Sequence, residues 1–253
     1  MRRLLCMFCL FCLLGGLAAA RDSTGLRLVC DDWAPYEMQD DQGNITGLSH
    51  DIVLAVLKRM QIPLAAPVEM LPWKRALALV EAGKADGAFS GVRSREREVF
   101  AYFSSEPLVQ APWVVFVRKD DLPQFNQLAD LRSRKAGIVN GWSYPDKLRL
   151  LFKQGAVSVT SLDPPSNFRN LALGRVDYIV DERRSGLHIM AQNNLQDRLA
   201  IANLPAMRDD GLYLLLSKAS VSAELAERFD RELKAFKASP EYRTLQSRYG
   251  IHE

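Results

Sequence analysis

The chain has 253 residues, 48% of them hydrophobic and 25% charged, the balance of a folded globular protein and not of a disordered or collagen-like one. Its 33 basic and 30 acidic side chains nearly cancel, which excludes nucleic acid or an anionic membrane surface as partners chosen by charge. Three scattered histidines, His50, His188 and His252, form no metal-ligand or triad spacing, and no phosphate-binding glycine loop is present, so no metal or nucleotide cofactor is expected.

Residues 1–20 differ from the rest. Arg2 and Arg3 precede an apolar run from Leu4 to Leu17, followed by Ala18, Ala19 and Ala20. This is the pattern of a cleaved secretory signal peptide, too short to span a bilayer as a helix. Cys6, Cys9 and Cys12 lie inside its apolar core, and none follows the small residues that a lipid-attachment cysteine requires, so no lipid anchor is expected. Only Cys30 survives processing, which excludes an intrachain disulfide and makes Cys30 read as a buried thiol.

Leu26, Leu28 and Cys30 alternate as in a strand, and Trp33 and Pro35 follow in a loop. Ser49 is placed to cap a helix in which Ile52, Leu54, Val56 and Leu57 recur at helical spacing. A second strand is predicted at Val68 to Leu71. After Pro72 a helix runs from Trp73 to Ala82 with Ala76, Leu77 and Val80 inward, and Arg75 stands in its first turn. The stretch from Gly83 to Pro107, GKADGAFSGVRSREREVFAYFSSEP, then reads as a buried strand, Ala85 to Phe89, broken at Ser90 and Gly91. Ser94 caps a new helix start with Arg97 three residues on. Turn N–H groups beside a guanidinium make an anion site. The same RSRERE run also reads as an exposed helix face laced with opposite charges.

Pro112 to Arg118 is a continuous apolar strand, and a new unit opens after Lys119 to Pro123. Its predicted elements are a helix near Asn126 to Arg132, a strand Ala136 to Asn140, a turn Gly141 to Tyr144 and a helix Pro145 to Gln154. A strand Val157 to Ser161, a helix Pro165 to Leu173 and a strand Val176 to Asp181 follow. Strand Leu212 to Leu216 and one long helix from Ser222 to Tyr249 end the chain. Ser143 with Asp146 forms a capping box, and Pro145 suits an early helical position, leaving N–H groups free at Ser143 for an anion. Alternating strands and helices predict two α/β lobes with parallel sheets covered on both faces, and ligands bind beyond the carboxyl ends of such strands.

Three stretches resemble the family 3 periplasmic solute-binding proteins, the amino-acid-binding class. In 83–107, Ser94, Arg97, Phe103, Ser104 and Pro107 fill the family's Thr-x-x-Arg and Phe-Ser-x-Pro places, with an extra residue before the Pro. From Asp86 to Arg97 the chain is one residue shorter than the pattern, so Arg93 and Arg95 stand as alternatives to Arg97. GIVNGWSYPD at 137–146 is similar to the second-lobe strand and turn, with Trp142 where the family has a small hydroxyl residue. GRVDYIVDER at 174–183 resembles the strand ending in an ammonium-binding acid, a place that Glu182 takes, with Asp181 as runner-up. Trp33 holds the aromatic place before x-Pro-aromatic.

The resemblance covers the chain beyond the leader and implies a two-lobed, type II periplasmic-binding-protein-like α/β fold. Lobe 1 would comprise residues 21–111 and 211–253 and lobe 2 residues 112–210, hinged by two crossing strands near Gln110 to Trp113 and Pro205 to Gly211. It implies a periplasmic monomer that captures a small zwitterion or carboxylate for an inner-membrane ABC permease, without chemistry. The ligand groups would be Trp33, Arg75, Ser90, Gly91, Ser94 and Arg97 on the first lobe and Gly141, Trp142 and Ser143 on the second, with Asp181 or Glu182 for an ammonium. The same fold family includes cyclohexadienyl dehydratases, in which an acid such as Glu182 serves as general acid, and a ligand sensor for a signalling receptor would use the same site. Both functions stay open here as alternatives.

Overall fold

The computed structural model describes residues 25–140 and 144–250. Residues 1–24 with Cys6, Cys9 and Cys12, the residues Gly141, Trp142 and Ser143, and His252 lie outside the described residues.

Strand β1 (Leu28–Cys30) is wholly buried, and burial pushes the Cys30 thiol up to about 12. A hairpin of β2 (Met38–Gln39) and β3 (Ile45–Thr46) leads to α1 (Leu48–Arg59). Strand β4 (Glu69–Met70), helix α2 (Trp73–Glu81) and strand β5 (Gly87–Val92) follow, and β1 pairs in parallel with both β4 and β5. Helix α3 (Arg95–Phe100) and β6 (Ala101–Tyr102) lead into the ten-residue strand β7 (Val109–Arg118). Beyond it come β8 (Lys135–Val139), α4 (Asp146–Lys153), β9 (Val157–Ser161), α5 (Pro164–Ala172), β10 (Tyr178–Glu182), α6 (Arg183–Gln192) and β11 (Leu199–Ile201). The ten-residue β12 (Arg208–Ser217) returns the chain to α7 (Ala223–Lys237) and α8 (Pro240–Arg248).

The strand order is β4-β1-β5-β12-β7-β10-β8-β9. Its two flanks are parallel, but β12 runs antiparallel to β5 and β7, and β7 antiparallel to β10. The expectation of purely parallel sheets is thus corrected: the two long strands that carry the chain across and back must run against each other. The apolar cores divide on either side of them. Leu28, Ile52, Phe89, Leu214 and Phe229 pack together on one side. Val115, Leu148 and Tyr178 form a second core on the other, with Phe116, Phe168 and Ile179 on the opposite sheet face. This is the two-lobed type II architecture, with elements placed so that the carboxyl ends of β1 and β5 face the space between the lobes.

Several local expectations are corrected. Gly47, not Ser49, is the N-cap of α1. A Cβ there would lie 2.2 Å from the Tyr36 carbonyl oxygen, at φ +132, so glycine is required and Ser49 falls inside the helix. Strand β5 does not stop at Ser90 and Gly91 but runs to Val92, because β12 pairs with it there through a bulge. The helix near Asn126 is a single 3₁₀ turn, Leu128–Leu131. Helix α4 starts at Asp146 with Pro145 as N-cap, two residues beyond Ser143. The last helix breaks in two because Ser239 caps a new one, with Pro240 in its first position. Finally, β10 reaches Glu182, and α6 begins at once behind it.

Candidate functional site

A cleft of about 330 Å³ is lined by Asp31, Trp33, Trp73, Ser90, Val92, Arg97, Arg208 and Asp210. Asp31 and Trp33 follow β1, Ser90 and Val92 end β5, and Trp73 opens α2. Arg97 sits on α3, where the Ser94 hydroxyl accepts the Arg97 N–H at 3.4 Å and starts the helix. That start turns the Arg97 side chain back over the strand end. Its Nη1 donates to the Val92 carbonyl at 2.6 Å, and the guanidinium lies 5.2 Å from the centre of the Trp73 ring. Burial holds Arg97 below its ordinary value, with Glu96 opposing; a guanidinium remains charged regardless. Among the described residues no carboxylate lies within ion-pair distance of it.

The floor of the cleft comes from β12. Arg208 pairs with Asp210 at 2.6 Å, and its guanidinium lies 4.7 Å from the Trp113 ring centre across the β7–β12 ladder. Two residues apart on a strand, Arg208 and Asp210 share a face. Asp31 is different: no cation lies within ion-pair distance among the described residues, and burial raises its carboxyl, with Asp32 adding to the effect. The wall at Ser90 has an unusual backbone, φ +50 on a buried serine. Its Oγ lies 2.5 Å from Glu37 Oε1 and 2.8 Å from Ser49 Oγ, within hydrogen-bond distance of both. Glu37 is completely buried, its Oε2 has no partner among the described residues, and burial holds the carboxyl well above the ordinary range.

The family model for the bacterial extracellular solute-binding proteins, family 3, matches residues 27–252. The chain belongs to this family. It is 25% identical over 169 residues to the L-cystine-binding protein TcyJ of Escherichia coli K12, a match that covers 67% of the chain. The chain spans 62% of the length of that curated relative. The Streptococcus pneumoniae substrate-binding protein AbpA, solved bound to L-arginine, superposes with a TM-score of 0.68 at 26% identity, over 93% of this chain and 99% of that one. The second substrate-binding domain of Lactococcus lactis GlnP, in an open conformation, superposes with a TM-score of 0.74 over 92% and 98% of the two chains. At 21% identity it shows the fold alone.

In this family 3 protein the cleft brings together Trp33, Ser90 and Arg97, with Ser94 and Gly91 behind them. Gly91 packs so closely that a Cβ would lie 2.0 Å from Leu215 Cδ1 and 3.2 Å from the Trp73 ring. Arg93 turns away, paired with Glu98 at 2.5 Å and set over Phe103, and Arg95 is exposed. Arg75 is likewise exposed and does not line the cleft. Gly141, Trp142 and Ser143 lie outside the described residues.

Asp181 and Glu182 stand apart from the cleft. Asp181 is 2% exposed, its Oδ1 accepts the Glu182 N–H at 2.7 Å, and burial pushes its carboxyl up to about 8. Glu182 is fully buried, caps α6 by accepting the Ser185 N–H at 2.9 Å, and is raised by burial. Its Oε1 faces the Tyr36 hydroxyl of the other lobe without a hydrogen bond of regular geometry. Beside it Ser185 Oγ donates to the Ala34 carbonyl at 2.8 Å. Glu182 therefore belongs to the seam where the lobes touch, while Asp181 is buried within its own lobe. Sequence reasoning missed Asp31, Trp73, Glu37, Arg208 and Asp210 as site groups. The available signal for the last two was an Arg-x-Asp alternation at the end of the expected crossing strand near Pro205 to Gly211.

Proposed function

We propose that the protein captures a small α-amino acid, or a compound carrying that group, in the periplasm and delivers it to an ABC-type importer by closing its lobes around it. One observation carries the reading: Arg97 is a half-buried guanidinium, held by a backbone carbonyl and a tryptophan ring, with no carboxylate partner among the described residues. Part of its desolvation is already spent in the fold, so a ligand carboxylate gains a bidentate, charge-assisted pair. Asp31, a cleft acid with no cation beside it among the described residues, takes the ammonium, and Trp33 and Trp73 flank the rest.

Two comparisons support this class of ligand, since L-cystine and L-arginine, bound by the relatives, share the α-amino-acid group. The signal-peptide pattern of residues 1–20 supports the periplasm, and the relatives named are binding proteins, which supports capture over chemistry. A thermal-shift screen tests the reading. L-cystine, L-arginine, the other common amino acids and opines form the test set, with polyamines and simple sugars as controls. A ligand bound only by the folded state raises its melting point. At least one α-amino carboxylate stabilises the protein and polyamines do not; stabilisation by none of the carboxylates overturns the reading.

A further inference from the structure

Beneath the cleft wall, three residues from three separate elements meet in a closed chain of oxygens. Glu37 comes from the loop after β1, Ser49 from the first turn of α1, and Ser90 from the bulged end of β5. Ser90 Oγ lies 2.5 Å from Glu37 Oε1 and 2.8 Å from Ser49 Oγ. All three side chains are buried, and Glu37 wholly so. A buried carboxylate needs a cation or several donors. Among the described residues Glu37 has no cation: the hydroxyls of Ser90 and Ser49 are the groups that favour its ionised form, and Oε2 has no partner.

Among the described residues, the groups packed around it give no positive charge. From β1 and the residue after it come the Cys30 thiol and the Asp31 carboxyl, both unfavourable to a second negative charge. From α1 comes the Ser49 hydroxyl, while His50 turns away to Asp51 at 3.0 Å and to the Phe89 ring. From the β1–β2 loop comes Tyr36, whose hydroxyl faces Glu182. Burial thus holds the Glu37 carboxyl well above the ordinary range, in agreement with the geometry.

We propose that Glu37 works as a neutral carboxylic acid, a positioning residue under the cleft that keeps Ser90 in place and makes solute binding depend on its proton. With Glu37 neutral, its O–H donates to Ser90 Oγ and the Ser90 hydroxyl in turn donates to Ser49 Oγ. When Glu37 ionises, the chain of donors reverses: Ser90 donates to the carboxylate and Ser49 donates to Ser90. A negative charge then lies directly behind Ser90, in the wall that also carries the Val92 carbonyl and Arg97. An incoming ligand carboxylate meets that charge across one residue. The site is therefore competent in the protonated form; the two contacts hold Ser90, at a φ of +50, in either form, and it is the charge behind it that differs.

This inference rests on reading the cleft as a solute site, so its test has one arm without ligand. In infrared difference spectra at neutral pH, wild type minus Glu37→Gln shows a protonated-carboxyl carbonyl band in ligand-free protein. A carboxylate band in its place overturns the proposal. In the second arm, L-cystine and L-arginine are titrated calorimetrically from pH 6 to 10 as probes. Wild-type affinity falls by up to about tenfold per pH unit once Glu37 ionises, whereas Glu37→Gln, which mimics the neutral acid, binds with neutral-pH affinity and lacks that part of the fall. The ligand amine ionises identically in both, so the difference belongs to Glu37. Glu37→Ala binds weakly at every pH. Identical pH profiles for wild type and Glu37→Gln overturn the proposal. If Glu37→Gln does not fold, Ser49→Ala takes its place: it removes a donor to the ionised form, so the fall moves to higher pH, and an unmoved profile counts against the relay. If neither probe binds, the ligand class under Proposed function fails and the infrared arm alone decides the role of Glu37.

Discussion

Arg97 and its two sequence rivals differ in what already holds them. Arg93 is committed to Glu98 and Arg95 is exposed, while Arg97 has spent part of its hydration and has no acid partner among the described residues. Arg97→Ala is expected to weaken binding of the stabilising amino acid by roughly thirtyfold or more, since a charge-assisted pair is worth about 2 kcal/mol or more. Arg93→Ala and Arg75→Ala leave the affinity within about twofold in the same calorimetric titration. Arg97→Lys keeps the charge, loses the fork, and falls between them. The buried acid next to Glu182 gives a pH prediction. The Asp181 carboxyl is up to about 8 in the fold against an ordinary 3.8, so the folded state binds its proton more tightly than the unfolded chain does. Its contribution to stability is therefore complete below about pH 4 and is lost as pH rises toward 8. Melting temperatures across that window fall with pH in the wild type, and Asp181→Asn flattens the fall. An unchanged slope in the variant shows that another group is responsible.

Each element near the site begins or ends on a residue that its neighbours dictate. Helix α1 starts on Gly47 because the Tyr36 carbonyl occupies the space of any side chain, and the same turn feeds the loop that bears Trp33 and Glu37. Gly47→Ala should lower stability by roughly 2 kcal/mol or more, combining a clash with a forbidden backbone. Gly43→Ala is the control: at φ +81 with nothing within 4 Å, it bears only the backbone term, roughly 1 kcal/mol. Urea melts of the two variants check the contrast, and equal losses would show that the Tyr36 contact is soft. The Ser239 cap with Pro240 beside it explains why one periodic stretch becomes α7 and α8. Two helices can follow the curve of the first lobe, placing Tyr249 where its hydroxyl donates to Asp51 Oδ2 at 2.8 Å.

At the scale of the whole molecule, the lobes are joined by β7 and β12 and touch at the seam of Ser185 with Ala34 and Glu182 with Tyr36. The floor of the cleft, Arg208 and Asp210, lies on one of the connecting strands. Ligand contact there and lobe rotation thus act on the same backbone. Ser185→Ala removes a lobe-to-lobe hydrogen bond without touching the cleft. By small-angle scattering the ligand-free variant should have a larger radius of gyration than the wild type, and the two should coincide when the stabilising amino acid saturates them. If the ligand-free curves superpose, the seam does not bias the lobe equilibrium.

Local patterns were enough for much of this protein. The alternation of strand and helix, the Ser94 cap three residues before Arg97, and the strand of residues 83–107 all depend on neighbours within about ten residues, and periodicity and capping report on that range. Those same patterns carried the resemblance to family 3. They misplaced the start of α1 and the end of β5, because both depend on a distant partner: the Tyr36 carbonyl in one case and β12 in the other. Nothing in the local sequence marks Glu37 and Ser49 as companions of Ser90, 53 and 41 residues away, or places Arg208 and Asp210 across from Arg97. Glu182 was legible as the acid at a strand's end. Its burial was not, since burial depends on how Tyr36 of one lobe meets α6 of the other. Charge and spacing name the groups that are able to hold a zwitterion; the packing of two lobes decides which of them still face the space where it would lie.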